Sequence, residues 1–154
     1  MIPSLSSLKH ALHHLANPSK VAIYKNFHKT SKNDYASGEE FLGITVPQLR
    51  IIARNHLYLS YPNIITFLTS KIHEEKYIAA LVLAEKYEVS DEKTKKEIFD
   101  FYIKNAKKIS GWDLVDSTAP SIVGDFLFNK DTSILKKLAR SSDLWERRIS
   151  IITT

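Results

Sequence analysis

The sequence contains no cysteine, and its 154 residues include only four glycines, five prolines and one methionine. The absence of cysteine excludes disulfide frameworks, Cys-based zinc or iron–sulfur sites and a thiol nucleophile. The scarcity of glycine and proline argues against a sandwich or barrel, because those folds need many tight turns. The chain is nevertheless long enough to form one domain with its own hydrophobic core.

A long apolar run is also missing. The longest uncharged stretch, residues 55–70, contains Pro62 and is shorter than a bilayer-spanning helix. The N-terminal segment MIPSLSSLKHALHHLAN has neither a basic leader region nor a small-residue cleavage site, so it does not match a signal peptide. We therefore expect a soluble, cytoplasmic protein.

Basic side chains are in excess, with 22 Lys and Arg against 17 Asp and Glu and a net charge of +5. The apolar fraction of 44% and the charged fraction of 25% are those of an ordinary globular protein, so disorder is not expected. The positive balance favours a polyanionic partner such as nucleic acid.

Apolar side chains recur at helical spacing along nearly the whole chain. Leu5, Leu8, Leu12 and Leu15 share one helix face, and residues 77–87 are apolar nearly all round, as in a helix buried between neighbours. No strand-length segment alternates with a period of two residues. The sequence therefore predicts an all-α fold of short antiparallel helix pairs, arranged as a compact bundle or as stacked HEAT-like repeats.

Capping signals mark several helix starts. Three pairs have the spacing of a capping box or of its aspartate-capped analogue: Thr45 with Gln48, Ser110 with Asp113, and Asp143 with Glu146. Residues 29–40 form a longer polar stretch, which predicts a functional or flexible loop. The last helix is expected to begin near Leu144. It is still amphipathic at Ile151 and Ile152, so we expect residues 1–154 to be a single repeat domain truncated at its C-terminus.

The common motifs for phosphate, dinucleotide and zinc-protease sites are missing from the sequence. His10 and His14 lie four residues apart on one helix, a spacing that can bind a metal, but no carboxylate lies nearby to complete a site. We expect a solvated polar face there, and neither a metal nor a cofactor in the protein.

The segment SGWDLVDS at residues 110–117 carries a candidate chemical site. If Ser110 caps a helix, Asp113 has a capping role, whereas Asp116 lies one turn further in and has none. Asp116 shares a helix face with Trp112, so an indole and a carboxylate project together in a way that suits a cationic centre. The alternative is a core tryptophan and an aspartate paired with a nearby lysine.

A second candidate begins at Trp145, with Arg148 three residues later on a helix capped by Asp143. Arg147 and Arg148 point about 100° apart around the helix, so one can face a groove while the other faces solvent. An arginine at this place can clamp a phosphate with its guanidinium fork. The alternative is a surface salt bridge to Glu146 or Asp143.

Basic runs flank both tryptophan segments, and aromatic side chains interleave the first run. Such runs are usually solvated faces, but three of them around the candidate residues predict a surface that follows a phosphate backbone. The runs comprise Lys20, Lys25, Lys29 and Lys32; Lys104, Lys107 and Lys108; and Lys136, Lys137 and Arg140.

Several short motifs occur in a recognisable order: YKNF at 24–27, FLGITVPQLR at 41–50, WDLVDS at 112–117 with Pro120 and Gly124, and WERR at 145–148. From about Ala11 onward the chain thereby resembles the DNA alkylation repair family, the AlkD type of HEAT-like-repeat DNA glycosylases. The resemblance implies a curved stack of helix pairs whose basic concave face grips duplex DNA. It also implies excision of positively charged N3- and N7-alkylated purines.

The resemblance also implies roles for individual residues. Trp112 lines the lesion site, Asp116 is the catalytic carboxylate, Arg148 takes the place of the family's arginine, and Tyr24 matches an aromatic of the same cleft. We expect a DNA-binding surface that also includes Lys25, Lys29, Lys108 and Arg147, and a monomeric protein. Family members continue through further helices that carry another site aromatic, so the cleft of these 154 residues is expected to be incomplete.

Two other functions stay open at this point: a non-catalytic helical-repeat protein that binds DNA of unusual structure, and a scaffold for protein partners. The pairing of Trp112 with Asp116 favours the glycosylase, because an acid that faces phosphates does not help backbone binding. The basic runs favour both DNA-directed functions over the scaffold. The positive charge of an alkylated purine already weakens its glycosidic bond, so a carboxylate that stabilises the sugar cation suits the reaction.

Overall fold

A computed structural model describes residues 4–154 and confirms the all-α fold class. Within these residues, the β pairing is limited to an isolated bridge between Glu40 and Ile72. Residues 1–3, part of the segment assessed for a signal peptide, lie outside the described residues. The α-helices are α1 (Leu5–His14), α2 (Pro18–Phe27), α3 (Val46–Arg54), α4 (Tyr61–Leu68), α5 (His73–Glu88), α6 (Glu92–Lys104), α7 (Trp112–Ala119), α8 (Asp125–Leu127), α9 (Ser133–Ala139) and α10 (Leu144–Ile152).

Two compact units divide the chain after Val82, and the long helix α5 contributes to both. The first unit contains α1 to α4, and the second contains α6 to α10. Among the described residues, no helix combines the length and the apolar character needed to cross a bilayer. The predicted loop at residues 29–40 is confirmed as a region without α-helix between α2 and α3.

The core of the first unit follows the predicted helical periodicity. Leu8 and Leu12 on α1 are fully buried, as are Ile64 and Phe67 on α4. Each large apolar side chain that leaves water in this way contributes about 2 kcal/mol to folding. Residues 77–83 of α5 are buried all round, as the uniformly apolar segment predicted.

A buried carboxylate organises the loop that carries the FLGITVPQLR motif. Glu74 accepts hydrogen bonds from the backbone amides of Leu42 at 2.9 Å and Gly43 at 2.8 Å. Gly43 has a φ of +80°, and a Cβ there would lie 2.2 Å from the carbonyl oxygen of Asn17. Only glycine fits this position, because both the left-handed backbone and the contact exclude a side chain. The amide of Asn17 in turn donates to the carbonyl of Leu42 at 2.7 Å, which ties the start of α2 to this loop.

The second unit is built around α6, α7 and α10. Ile98 and Tyr102 on α6 are fully buried, together with Leu114 and Val115 on α7 and Ile149 on α10. Helices α7 and α8 are joined by a π-helical segment, Pro120–Gly124, so the chain stays helical from Trp112 to Leu127.

The predicted helix caps have three different outcomes. The capping box of Thr45 and Gln48 is confirmed. Asp143 caps α10 by accepting from the amides of Trp145 and Glu146, but the Glu146 carboxylate bonds the Ser141 hydroxyl instead of closing the box. The third box, at Ser110 and Asp113, is wrong: α7 begins at Trp112, and its N-cap is Gly111, which has no side chain to cap the helix.

The physical reason for this error is that the residues directly before α7 pack into the core. Ile109 and Gly111 are both buried, so contacts with the core fix the path of the chain there instead of a capping side chain. Asp113 is therefore the second helical residue, where its charge still suits the helix N-terminus.

Candidate active site

Asp116 and Arg148 form a two-pronged ion pair between α7 and α10. Nε of Arg148 donates to Oδ1 of Asp116 at 2.7 Å, and Nη2 donates to Oδ2 at 2.6 Å. The Asp116 side chain is 30% exposed and that of Arg148 is 39% exposed, so the pair lies at the surface of the second unit. The structure thus brings together the two residues that the sequence placed in separate candidate sites.

Asp116 and Arg148 are paired with each other and not with the partners that the alternatives gave them. The alternative partners of Arg148, Glu146 and Asp143, have their carboxylates directed to Ser141 and to the α10 amides. Asp116 is paired with an arginine and not with a lysine. Sequence spacing could not show this contact, since the two residues are 32 positions apart.

Helix α10 holds Arg148 in place through its buried neighbours. Trp145, three residues earlier, and Ile149, the next residue, are both buried against the unit. Two amides at the start of the helix are bonded to Asp143, which fixes its first turn. Arg147 points elsewhere and donates to the carbonyl of Ser141 at 2.9 Å, so it braces the turn before the helix.

Helix α7, which carries Asp116, is tied to α6 by two buried hydroxyl groups. The Thr118 hydroxyl donates to the carbonyl of Leu114 at 2.7 Å, and Tyr102 of α6 lies 2.8 Å from the same hydroxyl oxygen. Because the Thr118 proton is used on Leu114, Tyr102 is the donor in the second bond. Burial raises the pKa of Tyr102, so it stays a neutral donor near the Asp116 charge. Nothing in the sequence signalled this hydrogen bond, because a tyrosine at helical spacing among apolar residues is expected to act as a core side chain.

The π-helical segment follows directly from the position of Pro120. Proline has no amide hydrogen, and its ring would clash with the carbonyl four residues earlier, which belongs to Asp116. Widening of the helix at Pro120–Gly124 relieves that clash. Short π-helical insertions are frequent at functional sites, and this one starts one turn after the candidate carboxylate.

Trp112 stands one turn before Asp116 on α7 and is 37% exposed. Its exposure rules out the alternative of a fully buried core tryptophan. Residues four apart on a helix have Cβ atoms about 5–6 Å apart, so the indole and the carboxylate are neighbours on one face. Asp113 lies on the next face, where its Oδ1 accepts from the amide of Leu114 at 3.0 Å.

The site can present negative charge even though Arg148 is bound to it. An ionised carboxylate has about four lone-pair positions, of which the arginine fork occupies two. A half-exposed carboxylate held in this way faces solvent in a fixed orientation, beside an aromatic ring that attracts cations. The arrangement is suited to stabilising a positively charged group and orienting a water molecule.

The remaining predicted DNA-binding residues lie in several places. Tyr24, Lys25 and Lys29 belong to the first unit, where both lysines are exposed. Tyr24 is half-buried. Its pKa is raised mainly by this burial and to a smaller extent by the negative charge of Glu74. Lys108 is exposed in the second unit and donates to Oδ1 of Asn105 at 3.1 Å. The sequence prediction for these residues stays a prediction.

The fold and the Asp116–Arg148 site together describe a helical protein with a surface carboxylate held by an arginine and flanked by an aromatic ring. The family model described as DNA alkylation repair enzyme matches residues 8–154, so the chain belongs to that family. The resemblance inferred from the sequence motifs is thereby confirmed. Neither the curated proteins nor the solved structures contain a match to this chain.

Proposed function

We propose that this protein is a DNA glycosylase that excises positively charged N3- or N7-alkylated purines from duplex DNA. The observation that carries the proposal is the partly exposed Asp116 carboxylate, held by Arg148 and placed one helical turn from the exposed Trp112. Membership in the DNA alkylation repair family supports the substrate class.

The chemistry that such a site can perform follows from the charge of the substrate. When the C1′–N bond breaks, its electron pair goes to the alkylated purine, which leaves as a neutral base without needing a proton from the enzyme. The sugar becomes an oxocarbenium ion, and Asp116 stabilises this cation. A water molecule then forms the C1′–O bond and loses a proton, which the carboxylate can accept or pass to solvent.

Trp112 is proposed to contribute in a second way. The face of an indole attracts cations, and the interaction is worth up to ~2 kcal/mol where water is excluded. The alkylated base is cationic before the bond breaks and the sugar is cationic as it breaks. An exposed tryptophan beside Asp116 therefore favours a charged lesion over an ordinary base.

Arg148 is proposed to hold Asp116 and to contact the DNA backbone. Its guanidinium has five N–H groups, of which two are used on Asp116. A nearby phosphate would be attracted by the same positive charge. The arginine thereby offsets the repulsion between the carboxylate and the DNA backbone, which a bare aspartate would meet.

The direct test is incubation of the protein with methylated duplex DNA, followed by chromatography of the released bases. Release of free 7-methylguanine or 3-methyladenine, with an abasic site left in the strand, is the expected result. No release at enzyme concentrations that saturate the DNA would contradict the proposal.

One observation favours the alternative of a DNA-binding protein without catalysis. A bidentate ion pair between α7 and α10 can also act purely as a structural link between two helices. In that case, the wild-type protein would show no excision activity, and removing Asp116 would reduce only its thermal stability. The base-release assay separates the two functions.

A further inference from the structure

Helix α2 exposes apolar side chains along one edge. Ile23 is 53% exposed and Phe27, one turn later, is 68% exposed. None of the ten residues of this helix is buried, and the half-buried Tyr24 lies on the side that faces the unit. Two large apolar residues one turn apart form a continuous exposed strip, which folding by itself does not require.

The chain segment that carries this strip is cationic. The sequence contains no aspartate or glutamate before Asp34. Lys25, Lys29 and Lys32 are exposed on α2 or shortly after it, and so is Asn26, whose amide is adjacent to the strip. An apolar strip bordered by this charge fits a polyanion better than an uncharged apolar protein surface.

Helix α2 is also held firmly at both ends. Its start is bonded to the loop at Leu42 and Gly43, which Glu74 fixes from inside the unit. At the opposite end Phe27 is exposed, whereas the next residue, His28, is buried and packs its ring against Phe41 and His73. An apolar side chain that projects into solvent from a helix anchored at both ends has the form of a wedge.

We propose that the Ile23–Phe27 edge of α2 inserts into the minor groove of duplex DNA, with Phe27 as a wedge between adjacent base pairs. Proteins that bind this groove use apolar side chains to unstack a base step, and lysine or asparagine to contact phosphates and base edges. Lys25 and Lys29 fit the phosphate contacts, and Asn26 fits the acceptors on the groove floor. The proposal rests on DNA being the partner, as the proposed function has it, but it does not depend on excision.

The test uses an undamaged duplex that contains 2-aminopurine, whose fluorescence rises when it is unstacked. The wild-type protein should raise the fluorescence, and Phe27→Ala should remove most of the rise while weakening binding by roughly tenfold. Because no phosphate contact is lost, the slope of log K against log salt should not change for this variant. Phe27→Leu should keep much of both signals, since leucine also serves as a wedge.

A matched control is Phe128→Ala, which removes a phenylalanine that is 75% exposed in the second unit. This variant should bind and unstack the duplex like the wild type. Equal losses for both alanine variants, or wild-type binding by Phe27→Ala, would overturn the proposal. Weaker binding of Phe27→Ala to phosphatidylserine vesicles with unchanged DNA binding would overturn it as well, in favour of a membrane surface.

The outcome can be separated from that of the proposed function. Loss of excision in Asp116→Asn with normal unstacking by that variant would support both proposals independently. If the protein releases no base but Phe27→Ala still loses unstacking, the wedge stands and the glycosylase does not.

Discussion

Replacing Asp116 by asparagine isolates the charge on which the proposed chemistry depends. The substitution keeps the size of the side chain and one acceptor oxygen for Arg148. A carboxylate about 4 Å from a developing cation contributes about 4 kcal/mol at the effective dielectric constant of ~20 that suits a half-exposed site. Loss of one such electrostatic stabiliser usually lowers the rate by ~10²–10³. We expect single-turnover release of 7-methylguanine to fall by that factor.

The structure adds a reason for a large effect. Asp116→Asn leaves the Arg148 guanidinium with a neutral partner, so a positive charge without its counter-charge stands beside the sugar cation. The double variant Asp116→Asn with Arg148→Gln should therefore be no slower, and is expected to be somewhat faster, than Asp116→Asn when both are saturated with DNA. Such a non-additive result is typical of two residues that act as one unit.

Stability should change far less than the rate. Ion pairs that are about one third exposed contribute ~1 kcal/mol or less, which corresponds to a fall in Tm of about 2–4 °C for a chain of this size. The DNA affinity of Asp116→Asn should hold or rise slightly, because a negative charge facing phosphates is removed.

Asp113→Asn is the matched control, since it removes the same charge one face away on the same helix. Its Oδ1 can still accept from the amide of Leu114, and the interaction of the lost charge with the helix N-terminus is worth ~0.3–1 kcal/mol. Excision should be nearly unchanged. Full activity in Asp116→Asn, or equal loss of rate in both variants together with loss of fold, would refute the catalytic role of Asp116.

Three further outcomes are expected. Arg148→Gln should weaken binding to all duplex sequences and lower the salt slope by ~1 in anisotropy titrations; an unchanged slope would make the arginine purely structural. Gly43→Ala should lower the Tm strongly in thermal melts, because a Cβ would meet the Asn17 carbonyl at 2.2 Å and φ is +80°; a wild-type Tm would contradict this account of the loop. Burial acts to raise the pKa of Glu39, but its bonds to His73 and Lys76 outweigh burial and lower that pKa below 4.5. Folding therefore favours the ionised form of Glu39. Its contribution to the free energy of unfolding is present above pH 4.5 and is lost as the pH falls through the lowered pKa. Glu39→Gln should reduce this loss of stability in acid, measured by thermal melts between about pH 3 and 6.

Local pattern in the sequence was sufficient for the helices and for part of their ends. The spacing of Leu8 and Leu12 predicted a buried face, and both are fully buried. Thr45 and Gln48 predicted a capping box that forms as expected, because every atom involved lies within four residues. The same local logic identified Trp112 and Asp116 as neighbours on one helix face.

Contacts between distant parts of the chain were beyond that logic. The N-cap of α7 was predicted at Ser110, but with Ile109 and Gly111 packed in the core the N-cap is Gly111 and the helix begins at Trp112. In the same way, nothing in the sequence signalled that the buried Glu74 carboxylate accepts hydrogen bonds from the loop amides of residues 42–44.

The sequence by itself determined an all-α protein of basic character, the motifs of a DNA alkylation repair enzyme and the residue types of its candidate site. Only the tertiary structure joined Asp116 to Arg148 and tied α7, which carries Asp116, to α6 through the Tyr102–Thr118 hydrogen bond. The physical reason is that helical periodicity orients a side chain around its own axis, whereas the partner that the side chain meets depends on how separate helices pack.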